Sequence, residues 1–429
     1  MSAAAQATDR AAAVAGDEIC GCPICDAPVA DPLLDLPCGG IDGSSLYPVV
    51  RLMACRSCGH AYNMMTPDEL AGLGRYYNDE YAPANLGAAD LAGDRPGSSS
   101  TLTSQRYAQL WSALAPFVAP DHAVLDVGCA LGGFLDTLRG HGLSNLAGVD
   151  MTKTYVAAAR RRGDHRIELG NAESLPFDDA SFDAVVIEQV LEHLVHPLRA
   201  FQEARRVLRP DGVLCIGVPD AARYKDLPFF DYYWLLLREH IQHFDARHLA
   251  LLAARAGFEL CDVRHTEHAV MSERMRMPNL CAIFRKRDHV GASPEPGMLT
   301  DGIAAYLNQE KTRAGQRRLF FAEQARTGRP LIAWGIGREF LWLHAAAGLA
   351  ECNLVGLVDA NPLKQKSWSV GGMPVGDPRA TLAVAPADAM LLLTAIAHAA
   401  PIASAARAFG FDGAVQDFGV VASREAASA

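Results

Sequence analysis

The chain has 429 residues, half of them hydrophobic and 21% charged, a globular composition too long for one ordinary core, so two or three domains are expected. A formal charge of -10 and a pI near 5.8 exclude a broad nucleic-acid surface, because phosphate neutralisation needs clustered Lys and Arg. Residues 1–17 are Ala-rich with a single arginine. They hold neither a basic start with a long apolar core nor a spanning segment, so 1–18 reads as a tail on a cytoplasmic protein with no membrane partner.

Eleven cysteines is an odd count for a disulfide framework, and four of them are spaced for metal. Cys22-Pro23-Ile24-Cys25 is answered by Cys55-Arg56-Ser57-Cys58-Gly59. A two-residue gap lets both sulfurs of a knuckle reach one ion, and two knuckles supply the four thiolates that tetrahedral zinc prefers. Four protein ligands leave no open position, so such a zinc is structural. A redox dithiol explains one pair and leaves the other idle. Cys20 and Cys38 lack the spacing and are expected to be unliganded thiols. Residues 19–102 are read as a zinc-binding domain ending in an irregular segment. There Tyr76, Tyr77 and Tyr81 either cover a site as a lid or pack at a domain junction.

A helix is expected over 103–117, and then Val124-Leu125-Asp126-Val127-Gly128-Cys129-Ala130-Leu131-Gly132-Gly133-Phe134 reads as a buried strand, a glycine turn and a helix start. Gly128 and Gly132 let a ligand approach the backbone, and Asp126 sets a carboxylate at the strand's carboxyl end. About twenty residues past the glycines, Leu146-Ala147-Gly148-Val149-Asp150 ends in an acid suited to a ribose diol. A loop over 170–177, a strand over 182–187, a helix over 197–208, a turn at Pro210-Asp211-Gly212 and a strand over 213–218 continue the alternation. That rhythm gives an α/β fold with a mostly parallel sheet. A helix over 249–256, closed by Gly257, and strands near 261 and over 280–284 complete the domain, read as 103–287.

Asp126-x-Gly128-x-Ala130-x-Gly132, Asp150, Asn171-Ala172-Glu173-Ser174-Leu175-Pro176-Phe177 and Leu191-Glu192-His193 together resemble the class I S-adenosylmethionine-dependent methyltransferases, a Rossmann-like family. The resemblance implies that Asp126, Gly128, Ala130, Gly132 and Phe134 hold the methionine part. It implies Asp150 and Met151 at the ribose, Asn171 and Ala172 at the adenine edge, and Glu188 within the cofactor site. Ala130 and Asn171 depart from the family's usual glycine and aspartate. The competing reading is an NAD-binding domain, against which the acid two residues before the first glycine and the later motifs both count.

Arg238-Glu239-His240-Ile241-Gln242-His243-Phe244 follows an aromatic run. Imidazole titrates nearest neutral pH, and an adjacent carboxylate can orient it, so His240 with Glu239 is the first candidate base and His193 the second. The alternative for each is a packed histidine that shapes the cleft; His243 and His248 are read that way. Beyond a linker over 285–296, a helix over 298–327 leads to Leu331-Ile332-Ala333-Trp334-Gly335-Ile336-Gly337 and then Val355-Gly356-Leu357-Val358-Asp359. This is a second strand, glycine turn and strand-ending acid, and 288–429 is read as a second Rossmann-like domain. Its turn lacks a third glycine, so structural use, or holding the nucleotide end of a substrate, is favoured over dinucleotide binding. Lys364 and Lys366 are candidates to meet phosphates.

Zinc knuckles, the cofactor motifs and this C-terminal unit, in that order, resemble the three-domain zinc-containing nucleotide-sugar C-methyltransferases over nearly the whole chain. Their C-terminal signature is similar to Gly335-Ile336-Gly337 and Val358-Asp359-Ala360-Asn361-Pro362-x-Lys364-Gln365. The resemblance implies a small-molecule acceptor, a nucleotide-linked keto-sugar methylated alpha to its ketone. His240 would be the base, with Glu239, and His193 or Tyr81 the donor at the carbonyl oxygen; the protein would be a monomer or homodimer. Leu237 stands where that family has a tyrosine, which keeps open O- or N-methylation of another small metabolite. A non-catalytic binding or scaffold protein is the reading of another class.

Overall fold

The structure, a computed structural model, describes residues 21–38, 44–81, 97–163, 165–226, 233–270, 272–288 and 301–418. These form two compact units. The first is drawn from Met1–Asp35, Ser45–Leu227 and Arg238–Ala304, the second from Leu36–Ser44, Pro228–Leu237 and Ala305–Ala429.

The first unit begins with strands β1 (Ala30–Pro37), β2 (Val49–Cys55) and β3 (Ala61–Met64) and helix α1 (Pro67–Arg75). Thr66 caps α1 by a capping box with Glu69, so two orphan amides at the helix start are satisfied. A single-turn π-helix, Tyr76–Tyr81, follows at once. Next come α2 (Thr101–Leu114), β4 (Val124–Val127), α3 (Gly133–Gly140), β5 (Leu146–Asp150), α4 (Lys153–Arg162), β6 (Arg166–Leu169), β7 (Phe182–Glu188), α5 (Pro197–Val207) and β8 (Leu208–Pro219). The unit closes with β9 (Gln242–His243), α6 (Ala246–Arg255), β10 (Phe258–Val270) and β11 (Ser272–Lys286).

A seven-stranded sheet runs β10-β11-β8-β7-β4-β5-β6. β4, β5, β6, β7 and β8 pair in parallel, and β11 is antiparallel to both β8 and β10. The pleat sorts its side chains between two cores. Leu125, Val127, Val185, Ile187, Leu214 and Ile216 face Phe201 on α5 and Leu252 on α6, while Val124, Ala184, Val186 and Cys215 face Leu110, Leu135 and Val156 on the other side. Truncating a buried leucine such as Leu125 to alanine is expected to cost about 2–5 kcal/mol.

Three expectations are corrected. The Pro210-Asp211-Gly212 turn lies inside β8: Leu208 pairs with Phe182 and Val213 with Ala184, so the residues between them bulge while both ends stay in the ladder. The strands expected near 261 and over 280–284 extend into a long β10–β11 hairpin. The knuckle segment does not stand apart from 103–287, because Cys22, Ile24, Cys55, Cys58 and Tyr62 share one core with the seven-stranded sheet. Its own sheet, β1-β2-β3-β9, takes its last strand from beyond residue 240.

Helix α7 (Asp301–Thr327) leads into the second unit, which carries β12 (Leu331–Trp334), α8 (Arg338–Ala346), β13 (Leu354–Val358), α9 (Pro362–Ser367), β14 (Ser369–Val370), β15 (Met373–Gly376), α10 (Pro378–Ala383), β16 (Met390–Leu393), α11 (Ala399–Ala408) and β17 (Ala414–Asp417). Its six-stranded sheet runs β14-β15-β13-β12-β16-β17, parallel except for the β14–β15 hairpin.

Candidate functional site

The turn after β4 is left-handed at three positions, with φ of 79° at Gly128, 45° at Ala130 and 83° at Gly132. Only glycine adopts that region freely, and alanine holds it because Ala130 N–H is fixed by Asp150 Oδ2 at 2.9 Å. The other Asp150 oxygen accepts from Thr152 N–H at 2.8 Å, so the acid at the end of β5 is aimed by the turn it faces. Space is equally determined: a Cβ on Gly128 would lie 2.3 Å from Val190 Cγ2. Gly97 O accepts from Gly133 N–H at 3.0 Å, which ties the far end of the 76–102 segment to this turn.

Three buried acids surround the turn. Burial, then repulsion from Glu188 and Asp150, pushes Asp126 up to about 7, with Arg106 opposing. Burial also raises Asp150 and Glu188. Neither oxygen of Glu188 has a hydrogen-bond partner, and its nearest cation is Arg106 Nε at 3.9 Å. Gly217 on the next strand makes room for it, since a Cβ there would overlap the Glu188 carboxylate. Buried carboxylates without hydrogen bonds are costly, and a cationic ligand would relieve the cost. Among the other expected cofactor residues, Ala172 is buried and Met151 is half exposed. Asn171 Oδ1 accepts from Glu173 N–H at 3.0 Å. Phe134 turns its side chain into the core against Tyr107, so only its backbone can serve a ligand.

The π-helix joins this turn to the histidines. Tyr81 packs against the cluster of Ala130, Leu131 and Tyr155, and stacks edge-on with Tyr77. Tyr77 Oη lies 3.0 Å from His193 Nδ1, and Tyr76 Oη donates to Glu239 Oε1 at 3.0 Å. His193 Nδ1 donates to the Glu239 carbonyl at 2.8 Å. A carbonyl only accepts, so Nδ1 carries the hydrogen of the neutral ring and Nε2 keeps a lone pair. Burial lowers the His193 pKa and holds it in that form. His193 and His240 meet edge-on with centroids 5.0 Å apart.

Sequence reasoning gave no role to Glu192, which is 1% exposed and is pushed up to about 8, chiefly by burial. Its carbonyl accepts from Ile241 N–H at 2.7 Å, and its carboxylate reaches within 3.8 Å of His193 Nε2. The missed signal was its adjacency to His193 on a strand-ending turn. Asn63 was missed as well: its side chain donates to the His240 carbonyl at 2.8 Å, from a strand with no sequence link to it. His248 bonds Asp245 and the Cys58 carbonyl, and His243 lies 3.3 Å from Tyr224 Oη.

The four knuckle cysteines converge, with sulfur separations of 3.6 Å for Cys22–Cys58 and 3.6 Å for Cys25–Cys55. A tetrahedron of thiolates about 2.3 Å from zinc has edges of about 3.8 Å, so the donor set fits that ion. Gly59, with φ of 77°, lets its N–H return to the Cys55 carbonyl and close the second knuckle. Cys38 Sγ donates to the Leu36 carbonyl; Cys20 lies outside the described residues, as do 82–96 of the lid segment.

In the second unit Gly335 has φ of 104°, and Asp359 accepts from Ile336 N–H at 2.9 Å, repeating the Ala130–Asp150 link. Here Lys364 Nζ caps Asp359 Oδ2 at 2.9 Å and the Ile336 carbonyl at 2.8 Å. The lysine that was a phosphate candidate instead neutralises the acid of its own turn.

The family described as "Methyltransferase domain" matches residues 125–216, which run from β4 into β8, so this stretch is similar to that family. Similar proteins include an uncharacterized 37.1 kDa protein in transposon TN4556 of Streptomyces fradiae, 36% identical over 207 residues, 41% of this chain and 59% of that one. Another is 24-methylenesterol C-methyltransferase 2 of Oryza sativa subsp. japonica, 30% identical over 159 residues, 35% of this chain and 40% of that one. The chain spans about half the length of the curated relatives it matches. Among solved structures, an S-adenosylmethionine dependent methyltransferase from Mesorhizobium loti matches with a TM-score of 0.35 at 19% identity, covering 41% of this chain and 97% of its own. No described helix is long and apolar enough to cross a membrane.

Proposed function

We propose that the protein transfers a methyl group from S-adenosylmethionine to a carbon alpha to the ketone of a nucleotide-linked keto-sugar or related small metabolite. The observation that carries the carbon chemistry is the pairing of His193 and His240 beside the tyrosine-bound Glu239. Two imidazoles at one place suit proton removal, and methylation alpha to a ketone is the route that has to remove a carbon-bound proton.

The cofactor suits the turn on its charge: the carboxylates of Asp126 and Glu188 share the influence of one arginine, Arg106, so a further cation would stabilise them, and Asp150 is bonded to the turn. S-adenosylmethionine would supply an electrophilic methyl on a sulfonium that leaves as a neutral thioether. The chain's own work is alignment and proton transfer. His240 takes the alpha proton on a ring nitrogen, and the electron pair moves to the carbonyl oxygen. There Tyr81 is the donor that stabilises the enolate, because the one ring hydrogen of neutral His193 is committed to the Glu239 carbonyl. Glu239, held by Tyr76, keeps His193 in its Nδ1–H tautomer through its carbonyl. Zinc on Cys22, Cys25, Cys55 and Cys58 is proposed as structural, for its thiolates leave no open position.

The test is solvent-deuterium exchange into a nucleotide-linked keto-sugar without methyl donor, beside methyl transfer with it. Exchange lost in His240→Ala supports carbon methylation. Methyl transfer at the wild-type rate in that variant refutes the base, and transfer without any exchange points to O- or N-methylation.

A further inference from the structure

Glu192, His193 and His240 form a second group of metal-type ligands, separate from the four cysteines. One ligand atom from each lies within 4.8 Å of the others. Glu192 is 1% exposed, with both carboxylate oxygens buried and without a hydrogen-bond partner. Its Oε1 stands 3.8 Å from His193 Nε2, the nitrogen left with a lone pair once Nδ1 is committed to the Glu239 carbonyl. A backbone carbonyl on the far nitrogen is the arrangement that orients metal-binding histidines. The backbone is already braced for it. Ile241 N–H bonds the Glu192 carbonyl, Gln242 Nε2 bonds the Leu194 carbonyl, and Asn63 holds His240.

We propose that Glu192, His193 and His240 bind a divalent transition-metal ion, and that the bound ion occupies the histidine lone pairs and so halts methyl transfer. Two imidazoles and one carboxylate are a borderline donor set that suits Mn²⁺, Fe²⁺, Co²⁺ or Zn²⁺ rather than Ca²⁺. Ligands about 2.1 Å from an ion stand about 3.4 Å apart in a tetrahedron. Separations of up to 4.8 Å therefore close by about 1.4 Å at most on binding, within reach of side-chain rotation. Metal binding stands on geometry alone; the inhibition rests on the proton-transfer reading above.

The experiment titrates the full, zinc-loaded chain with Mn²⁺ and follows it by electron paramagnetic resonance, since thiolate knuckles do not take up this hard ion. One Mn²⁺ per chain at sub-millimolar concentration, with spin-echo modulation from two directly bound imidazole nitrogens, is expected. The same occupancy should suppress methyl transfer, and a chelator should restore it. Glu192→Gln should weaken Mn²⁺ at least about tenfold while leaving S-adenosylmethionine affinity unchanged, which also reports a folded variant. No bound Mn²⁺ at millimolar concentration, or bound Mn²⁺ without nitrogen modulation, overturns the site. Occupied protein that still methylates at full rate overturns the inhibition, whereas loss of activity in His240→Ala tests the base independently.

Discussion

Replacing Asp126 by asparagine isolates the strongest electrostatic feature of the cofactor turn. Asp126 is 4% exposed, and its pKa is lifted from an ordinary 3.8 to about 7 by burial and by Glu188 and Asp150. Near pH 7 the unliganded protein therefore holds a proton there about half the time. A ligand of net positive charge favours the carboxylate and must expel that proton. Wild-type affinity for S-adenosylmethionine should then rise about tenfold between pH 6 and pH 8 and level off above, one proton below the pKa being worth about 1.4 kcal/mol per pH unit.

The stability of the unliganded protein should move the other way. The folded pKa lies above the unfolded one, so the folded state binds the extra proton between them, and stability falls as pH rises from about 4 to about 7. The upper bound on that loss is about 4 kcal/mol, reduced by whatever water and relaxation the site admits. Calorimetric titration in buffers of different ionisation enthalpy measures the released proton directly. Asp126→Asn should flatten the affinity profile, abolish most of the release, and gain urea resistance relative to wild type at pH 8 but not at pH 4. Proton release of the same size in the variant, or a pH-independent wild-type affinity, would refute the reasoning.

Wild type should release one zinc per chain to a colorimetric chelator, and Cys58→Ser should lose that zinc and lower the melting temperature by on the order of 10 °C, because metal binding is folding energy; a variant with wild-type zinc content and melting would sink the four-thiolate site. Gly128→Ala combines a positive φ with a methyl 2.3 Å from Val190, so a loss of about 1–3 kcal/mol in urea unfolding and at least tenfold weaker cofactor binding are expected. Gly163→Ala, whose added methyl meets nothing within 4 Å, is the control and should change neither. Tyr76→Phe removes the hydrogen bond to Glu239 and should cut kcat about tenfold without altering cofactor affinity, a result that unchanged kcat in steady-state assays would contradict.

Those residues differ in how visible they were beforehand. The glycine turn could be read because its constraints are local: φ above zero, no Cβ, and an acid one strand on. The convergence of the four cysteines could be read because two-residue gaps in two places suit one four-sulfur cluster. The role of Asn63 and the partner of Tyr76 could not, since both are fixed by tertiary packing, Asn63 on a carbonyl 177 positions away and Tyr76 on a carboxylate 163 away. Periodicity carries no trace of such pairs. Lys364 was visible, yet its use was misjudged, because the sequence supplied a lysine beside a glycine turn without revealing that Asp359 would already claim it.

The same long-range pairs link the four-cysteine segment to the two histidines. β9 begins two residues after His240 and pairs with β3 of the knuckle sheet, His243 opposite Ala61. Asn63 on β3 grips the His240 carbonyl and donates its own N–H to the Ile241 carbonyl. On the other side, Ile241 N–H is tied to Glu192. The segment that carries the proposed base is thus strung between the knuckle sheet and the turn that follows β7, so its position should depend on how firmly the knuckles are held. Removing zinc should therefore displace His240 before it unfolds the seven-stranded sheet. Methyl transfer would fail under mild chelation while S-adenosylmethionine still binds, and equal loss of binding and transfer at every stage of chelation would show that the two sheets do not act in that order.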